Sequence, residues 1–308
     1  NDYKDHENIE EFIFATIHGA NQIGKPELAM DIGREYLANP SYQAFRKDVA
    51  MMMMQVYQDQ GDYDRFFELG NEFVEQFSEN QDGGVVIYLM GNTWLQLNEI
   101  DTLISKFKQF INSYPKAPWL DGCYYWVGLA SIYQGNFNRA KEFFGPLVDK
   151  YPFSTYNEDG LYRYAVSIYG SGDVDGGEEA FKNFIDKYNT GSLRGECEYF
   201  LGQIYGSRGE IDKAVEHYSE VSLYADSEDY IKNSFFERGK LFFKNKMYQE
   251  MAGVYKNFLD QYPESPSFTD AIYEMGRAKE LMGKPGEMQK DYMEGIINYG
   301  NYPDSKGV

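Results

Sequence analysis

A turn residue recurs along this chain at a fixed interval, and that recurrence constrains the fold more than any other feature. Stepping by 37 residues from Gly135 reaches Gly24, Gly61, Asn98, Gly172, Gly209, Lys246 and Gly283 without a gap. The next residue is usually polar, as at Asp62, Glu99, Asn136, Asp173 and Glu210. A period of this size is the signature of a repeat array, in which each unit buries its apolar face only against its neighbours. With the turn set as column 15, the repeats run 10–46, 47–83, 84–120, 121–157, 158–194, 195–231, 232–268 and 269–305. Residues 1–9 form an N-terminal extension and 306–308 a tail.

Within a repeat the apolar spacing is helical. Tyr124, Val127, Gly128 and Ser131 fall at i, i+3, i+4 and i+7, and Phe137, Ala140, Phe144, Leu147 and Tyr151 mark a second helix. Gly at column 15 ends helix A, because it takes the left-handed C-terminal conformation without a steric penalty. Pro after column 31, at Pro115, Pro152 and Pro263, ends helix B. Column 8 is mostly small (Gly91, Gly128, Ala165, Gly202, Gly239, Gly276), which lets helix B approach, and column 24 is aromatic from Phe107 to Tyr292. The large Ile17 and Met54 at column 8, and Phe66 at column 20, predict wider hairpins in the first two repeats. Pro146 after Gly145 predicts a kink in helix B of the fourth.

These columns resemble the tetratricopeptide repeat (TPR), most clearly at Gly128, Gly135, Ala140, Phe144 and Pro152 and again at Leu201, Gly202, Tyr205, Gly209, Ala214 and Tyr218. Tyr262-Pro263-Glu264-Ser265-Pro266 followed by Asp270-Ala271-Ile272-Tyr273-Glu274-Met275-Gly276 resembles the 37-residue variant of bacterial envelope proteins, of the Tol-Pal-associated and outer-membrane assembly types. The resemblance implies an all-α, right-handed α-solenoid of about eight helix-turn-helix repeats. It also implies a protein-binding scaffold, periplasmic or extracellular after signal removal, with a cytoplasmic location as the other possibility.

Composition narrows the function classes. The 53 aromatic residues exclude an acidic disordered chain, and 27 of them fall in columns 5, 17, 24, 27 and 31, so they report repeat packing. No stretch approaches the roughly 18 apolar residues of a membrane span. A net charge of -20 argues against nucleic acid as a partner. That charge is uneven: repeats 47–83 and 195–231 each hold nine acidic against two basic residues, whereas 232–268 holds six basic against four acidic.

By the resemblance, columns 2, 5, 9, 12 and 13 of helix A line a concave groove. The candidate groove residues are Tyr88, Tyr125, Tyr162, Tyr199, Phe236 and Tyr273 at column 5, joined by Leu95, Ile132 and Tyr169 at column 12. Stacked aromatics suit an extended peptide. The other role for column 5, which also holds Phe14 and Met51, is scaffold, packed against the following loop. Acidic residues at column 2 (Glu11, Asp48, Asp159, Glu196, Asp270) argue against a carboxylate clamp and against acidic peptides.

No catalytic, cofactor or metal site is expected. Cys123 and Cys197 share column 3 two repeats apart, beyond the roughly 7 Å Cα limit of a disulfide. Met51 to Met54 point all round one helix, His6, His18 and His217 have no metal-site spacing, and Asp173-Val174-Asp175-Gly176-Gly177-Glu178 lacks the EF-hand spacing of a calcium loop. The expectation is therefore a non-enzymatic scaffold that binds a protein or extended peptide in its groove. The alternative is a self-assembling protein whose uncapped terminal repeats stack head to tail on other copies.

Overall fold

The computed structural model describes residues 6–299, and among them there are sixteen α-helices and no strand. Residues 1–5 of the extension and the 306–308 tail lie outside the described residues. The chain divides into two units, Asn1–Asn157 and Glu158–Val308, at the border between two 37-residue periods. The N-terminal unit holds α1 (His6–Gln22), α2 (Pro26–Ala38), α3 (Arg46–Asp59), α4 (Tyr63–Gln76), α5 (Gly83–Gln96), α6 (Ile100–Ser113), α7 (Leu120–Tyr133) and α8 (Phe137–Lys150). The C-terminal unit holds α9 (Asn157–Gly170), α10 (Val174–Lys187), α11 (Ser192–Arg208), α12 (Ile211–Tyr224), α13 (Glu228–Lys244), α14 (Tyr248–Gln261), α15 (Phe268–Leu281) and α16 (Pro285–Tyr299). From α1 to α8 each helix packs on the next, as does each from α10 to α16. A-type helices also touch one another, α5 with α7, α11 with α13 and α13 with α15. The fold is all-α, of the solenoid class.

One local device makes every hairpin. Gly24, Gly61, Asn98, Gly135, Gly172, Gly209, Lys246 and Gly283 all have positive φ, between 58° and 92°. At all of these turns but Gly172 the following N–H reaches back to the last turn of helix A, for example Asp62 N to Tyr57 O at 2.8 Å and Asn136 N to Ser131 O at 2.8 Å. Asn tolerates this geometry, whereas at Lys246 it carries a left-handed penalty of about 1–2 kcal/mol. Helix B opens on a side-chain cap in three cases. Asp62, Asn136 and Asp173 accept from the backbone N–H of Arg65, Arg139 and Gly176 at 3.2, 3.1 and 2.9 Å. Helix α8 continues through Pro146.

The core is packed by a small residue facing a large one. A Cβ added to Gly128 would lie 2.7 Å from the Phe144 ring, and one added to Gly202 would lie 2.6 Å from Tyr218. In the first two hairpins the arrangement is exchanged. Column 24 is Gly33 and Gly70, and the vacated space is filled from the next hairpin by Met53 and Met90, whose sulfurs lie 2.7 Å from the added Cβ positions. Met54 also reaches Gly70, with its Cε 3.2 Å from the added Cβ. Ile17, Met54 and Phe66, the bulky residues of these hairpins, are all fully buried.

Three loops are tied by their column 37 residue. Arg46, almost completely buried, donates to the Leu37, Asn39 and Tyr42 carbonyls at 2.7, 3.2 and 3.1 Å. Asn157 donates to the Tyr151 carbonyl at 3.1 Å, and Arg194 to the Asn189 carbonyl at 2.8 Å. These side chains satisfy helix-end and loop carbonyls that would otherwise be orphaned.

Candidate functional site

The column 5 aromatics differ in what covers them. Phe14 stacks on Phe45 at 4.8 Å and Tyr125 on Tyr156 at 4.6 Å, while Tyr199 meets Tyr230 edge-on at 5.2 Å. Phe45, Tyr156 and Tyr230 all occupy column 36, so in these three repeats a loop aromatic covers the helix A ring. Tyr162 is 6% exposed. Its hydroxyl donates to Glu196 and lies 3.4 Å from the Tyr230 hydroxyl, and burial followed by the Glu196 charge pushes that hydroxyl well above its ordinary range. Phe236 packs edge-on against Tyr255 and Phe258 at 5.3 and 5.6 Å. Tyr88 and Tyr273 stay open, at 49% and 58% exposed. Leu95, Ile132 and Tyr169 are half-buried. Tyr88, Tyr125, Leu95 and Ile132 belong to the N-terminal unit and the other five to the C-terminal unit, so each unit presents its own set.

Tyr169 lines a formed cleft. The cleft, about 340 Å³, lies across α9, α11 and α13, with Tyr169, Gln203, Gly206, Lys240, Leu241 and Lys244 among its walls. These are largely columns 9, 12 and 13, the face that the repeat arithmetic assigns to the groove. Gly206 is the gap in column 12, where the neighbouring periods carry Tyr169 and Phe243. A Cβ there would meet only Ala214 and Leu241, at 3.8 and 3.9 Å. Lys240 is paired with Glu237 at 2.7 Å. Lys244 is exposed, and no carboxylate pairs with it among the described residues. Neither Gly206 nor the lysines were singled out as groove residues by the sequence, although column numbers alone would have placed them there.

Charged groups elsewhere in the C-terminal unit are committed to structure. Glu178 accepts from Lys182 at 2.6 Å, from the Tyr205 hydroxyl at 2.5 Å and from Arg208, and these donors hold its carboxyl down to about 2. Arg208 also pairs with Asp175 at 2.5 Å. The acidic stretch 173–178 is therefore a helix cap and an ion-pair cluster. His217 stacks on Tyr205 at 5.1 Å, with Nδ1 2.7 Å from Glu198. Cys123 and Cys197 are free and fully buried, and burial pushes both thiols up. Met53 and Met54 are core, and His18 hydrogen-bonds Gln22 at 2.9 Å. Among the described residues no three His, Cys, Asp or Glu side chains gather as metal ligands. No described helix is long and apolar enough to cross a membrane.

Two solved structures show the same fold at low identity. The C-terminal part of a TPR repeat-containing protein from Cytophaga hutchinsonii matches with a TM-score of 0.55 and 14% identity, covering 69% of this chain and 79% of that one. The structure of Naa15/Naa10 bound to HypK-THB matches at 0.50 and 15% identity, over 96% of this chain and 43% of that one. A tetratricopeptide repeat protein from Parabacteroides merdae matches at 0.47 and 12% identity, over 86% and 98%. No curated protein matches the sequence. The family model YfiO, outer membrane lipoprotein, matches residues 121–284, more than half of the chain. The protein is a TPR-superfamily chain, and it belongs to the YfiO outer membrane lipoprotein family.

Proposed function

We propose that this protein is a non-enzymatic scaffold of the bacterial envelope that holds a protein partner, or an extended segment of one, on the groove face of its A-type helices. The cleft over α9, α11 and α13 carries this reading, because it is an open concavity on that face whose groups are not all consumed by the fold. Family membership supports the envelope location. The division of 10–305 into eight 37-residue repeats is part of the same proposal, and the eight left-handed turns support it. The partner is a protein, with no nucleic acid involved. The N-terminal unit offers a candidate face of its own, with the exposed Tyr88 beside Leu95 and Ile132 in the same helical columns.

Site-specific photocrosslinking in cells tests this. A photoreactive residue at Tyr169 or Lys244 is expected to capture a discrete partner, while one at Leu223, exposed on the B-type helix α12, captures none. Crosslinks from Leu223 and none from the groove would overturn the proposal.

Head-to-tail self-assembly is the second reading. It is favoured by Phe12, Ile23 and Leu28, which are exposed in the first hairpin, and by Leu281 and Met293, exposed in the last. Mass in solution across a concentration series separates the two, since a strict monomer excludes assembly.

A further inference from the structure

A scaffold groove selects its occupant through whichever groups it leaves unsatisfied. In the C-terminal unit two such features share one cleft. The first is steric. Gly206 leaves a notch in a column filled by Tyr169 and Phe243 in the neighbouring repeats, and a Cβ added there would meet only side-chain atoms of Ala214 and Leu241, at 3.8 and 3.9 Å. Leu241 forms part of the apolar wall. The cleft volume, about 340 Å³, sits near the lower end of ligand pockets, roughly 300–1,000 Å³, and so suits one bulky side chain with its backbone.

The second feature is electrostatic. Lys240 and Lys244 line the cleft of a chain whose net charge is -20. Glu237 offsets Lys240 at 2.7 Å, which leaves Lys244 uncompensated. The column 2 carboxylates that argued against an acidic ligand are partly engaged: Asp159 pairs with Arg163 at 2.5 Å, and Glu196 accepts the Tyr162 hydroxyl. A ligand carboxylate arriving at Lys244 therefore meets a free cation.

We infer that the notch over Gly206 receives one bulky apolar side chain of an extended partner segment, and that Lys244 meets a carboxylate beside it. This deepens the groove function and presupposes it. The occupant is a protein segment with an aromatic or branched residue next to Asp or Glu, selected by fit at Gly206 and by charge at Lys244.

The test uses three fluorescein-labelled Gly-Ser peptides, each with a single Phe followed by Asp, Asn or Lys, titrated into the full chain by anisotropy. Binding is expected in the order Asp, Asn, Lys, with about tenfold between the extremes, a difference of roughly 1.4 kcal/mol. Gly206→Leu should weaken all three peptides by about tenfold or more. Gly206→Ala, whose Cβ makes only ordinary contacts, should weaken them less. Lys244→Glu should reverse the Asp-to-Lys order while leaving the Gly206→Leu effect in place. Melting curves establish that each variant folds. Equal affinity in the native chain and Gly206→Leu, a preference for the Lys peptide, or no binding of any peptide overturns the inference. Groove photocrosslinks that survive in Gly206→Leu would reject the notch and keep the scaffold function. Their absence in the unmodified chain would reject both.

Discussion

Arg238 occupies a place that most repeats give to a buried hydrophobe. Column 7 is Met53, Met90, Val127, Leu201 and Met275 in five of the other seven repeats, all buried, with Thr16 and Tyr164 in the first and fifth. Arg238 is half-buried on α13, and its Nε is buried with no acceptor. Burial alone pushes its pKa down, with no carboxylate acting against it. The one visible compensation is the Phe235 ring, 5.6 Å from the guanidinium carbon. An unsatisfied buried polar group costs about 1–3 kcal/mol, and a cation–π contact of this kind returns about 0.5–1. Arg238→Met removes both and restores the residue type of the neighbouring columns. The net expectation is a gain of about 1 kcal/mol, after discounting for the part of the side chain that solvent still screens. For a unit of this size each kcal/mol moves the melting temperature by roughly 2–4 °C. Thermal unfolding followed by far-UV circular dichroism reads this directly, with Arg238→Lys as the control that keeps the charge and shows no gain. If Arg238→Met melts below the native chain, the guanidinium contributes more than its surroundings account for, and the reasoning fails.

Three further outcomes follow from geometry already described. Lys246→Gly should raise stability by about 1 kcal/mol by relieving left-handed strain, and Asn98→Gly should do so by less; urea midpoints compare the two. Gly239→Ala should destabilise by about 1–3 kcal/mol, because its Cβ would lie 2.3 Å from the Oη of the buried Tyr255, and an unchanged midpoint would contradict this packing. Glu178 is depressed from 4.5 to about 2, so its contribution is present above pH 4.5 and is lost as pH falls towards 2. Urea midpoints should therefore fall more steeply over that window in the native chain than in Glu178→Gln, and equal slopes would refute the cluster's role.

What the sequence revealed and what it hid differ in range. The turn at Gly135 and its seven counterparts was legible because left-handed backbone geometry is a local demand that selects Gly, with Asn and Lys as tolerated exceptions. The helix spacing of Phe137 to Tyr151 was legible for the same reason. The exchange of bulk at Gly33 and Gly70 was not, because it needs Met53 and Met90 from the following hairpin. The fate of the column 5 rings was hidden likewise, since it depends on residues distant in sequence: Tyr156 covers Tyr125 at 4.6 Å, whereas Tyr88 stays half-exposed although its own repeat carries Trp119 at column 36. The cleft at Gly206 left no sequence signal of its own, because the decisive position is an empty one.

The exchanged packing also limits which repeats are interchangeable. Deleting 232–268 would set Tyr218 opposite Met275, the residue that now shares a core cluster with Tyr255. Deleting 84–120 would instead set Gly70 opposite Val127, leaving a hole that Met90 now fills. The first shortening keeps a matched joint and the second does not, a difference that the melting temperatures of the two deletions would register. A 37-residue period thus makes the repeats equal in length without making them equivalent parts, and the chain can be shortened only where the two faces brought together share the same packing rule.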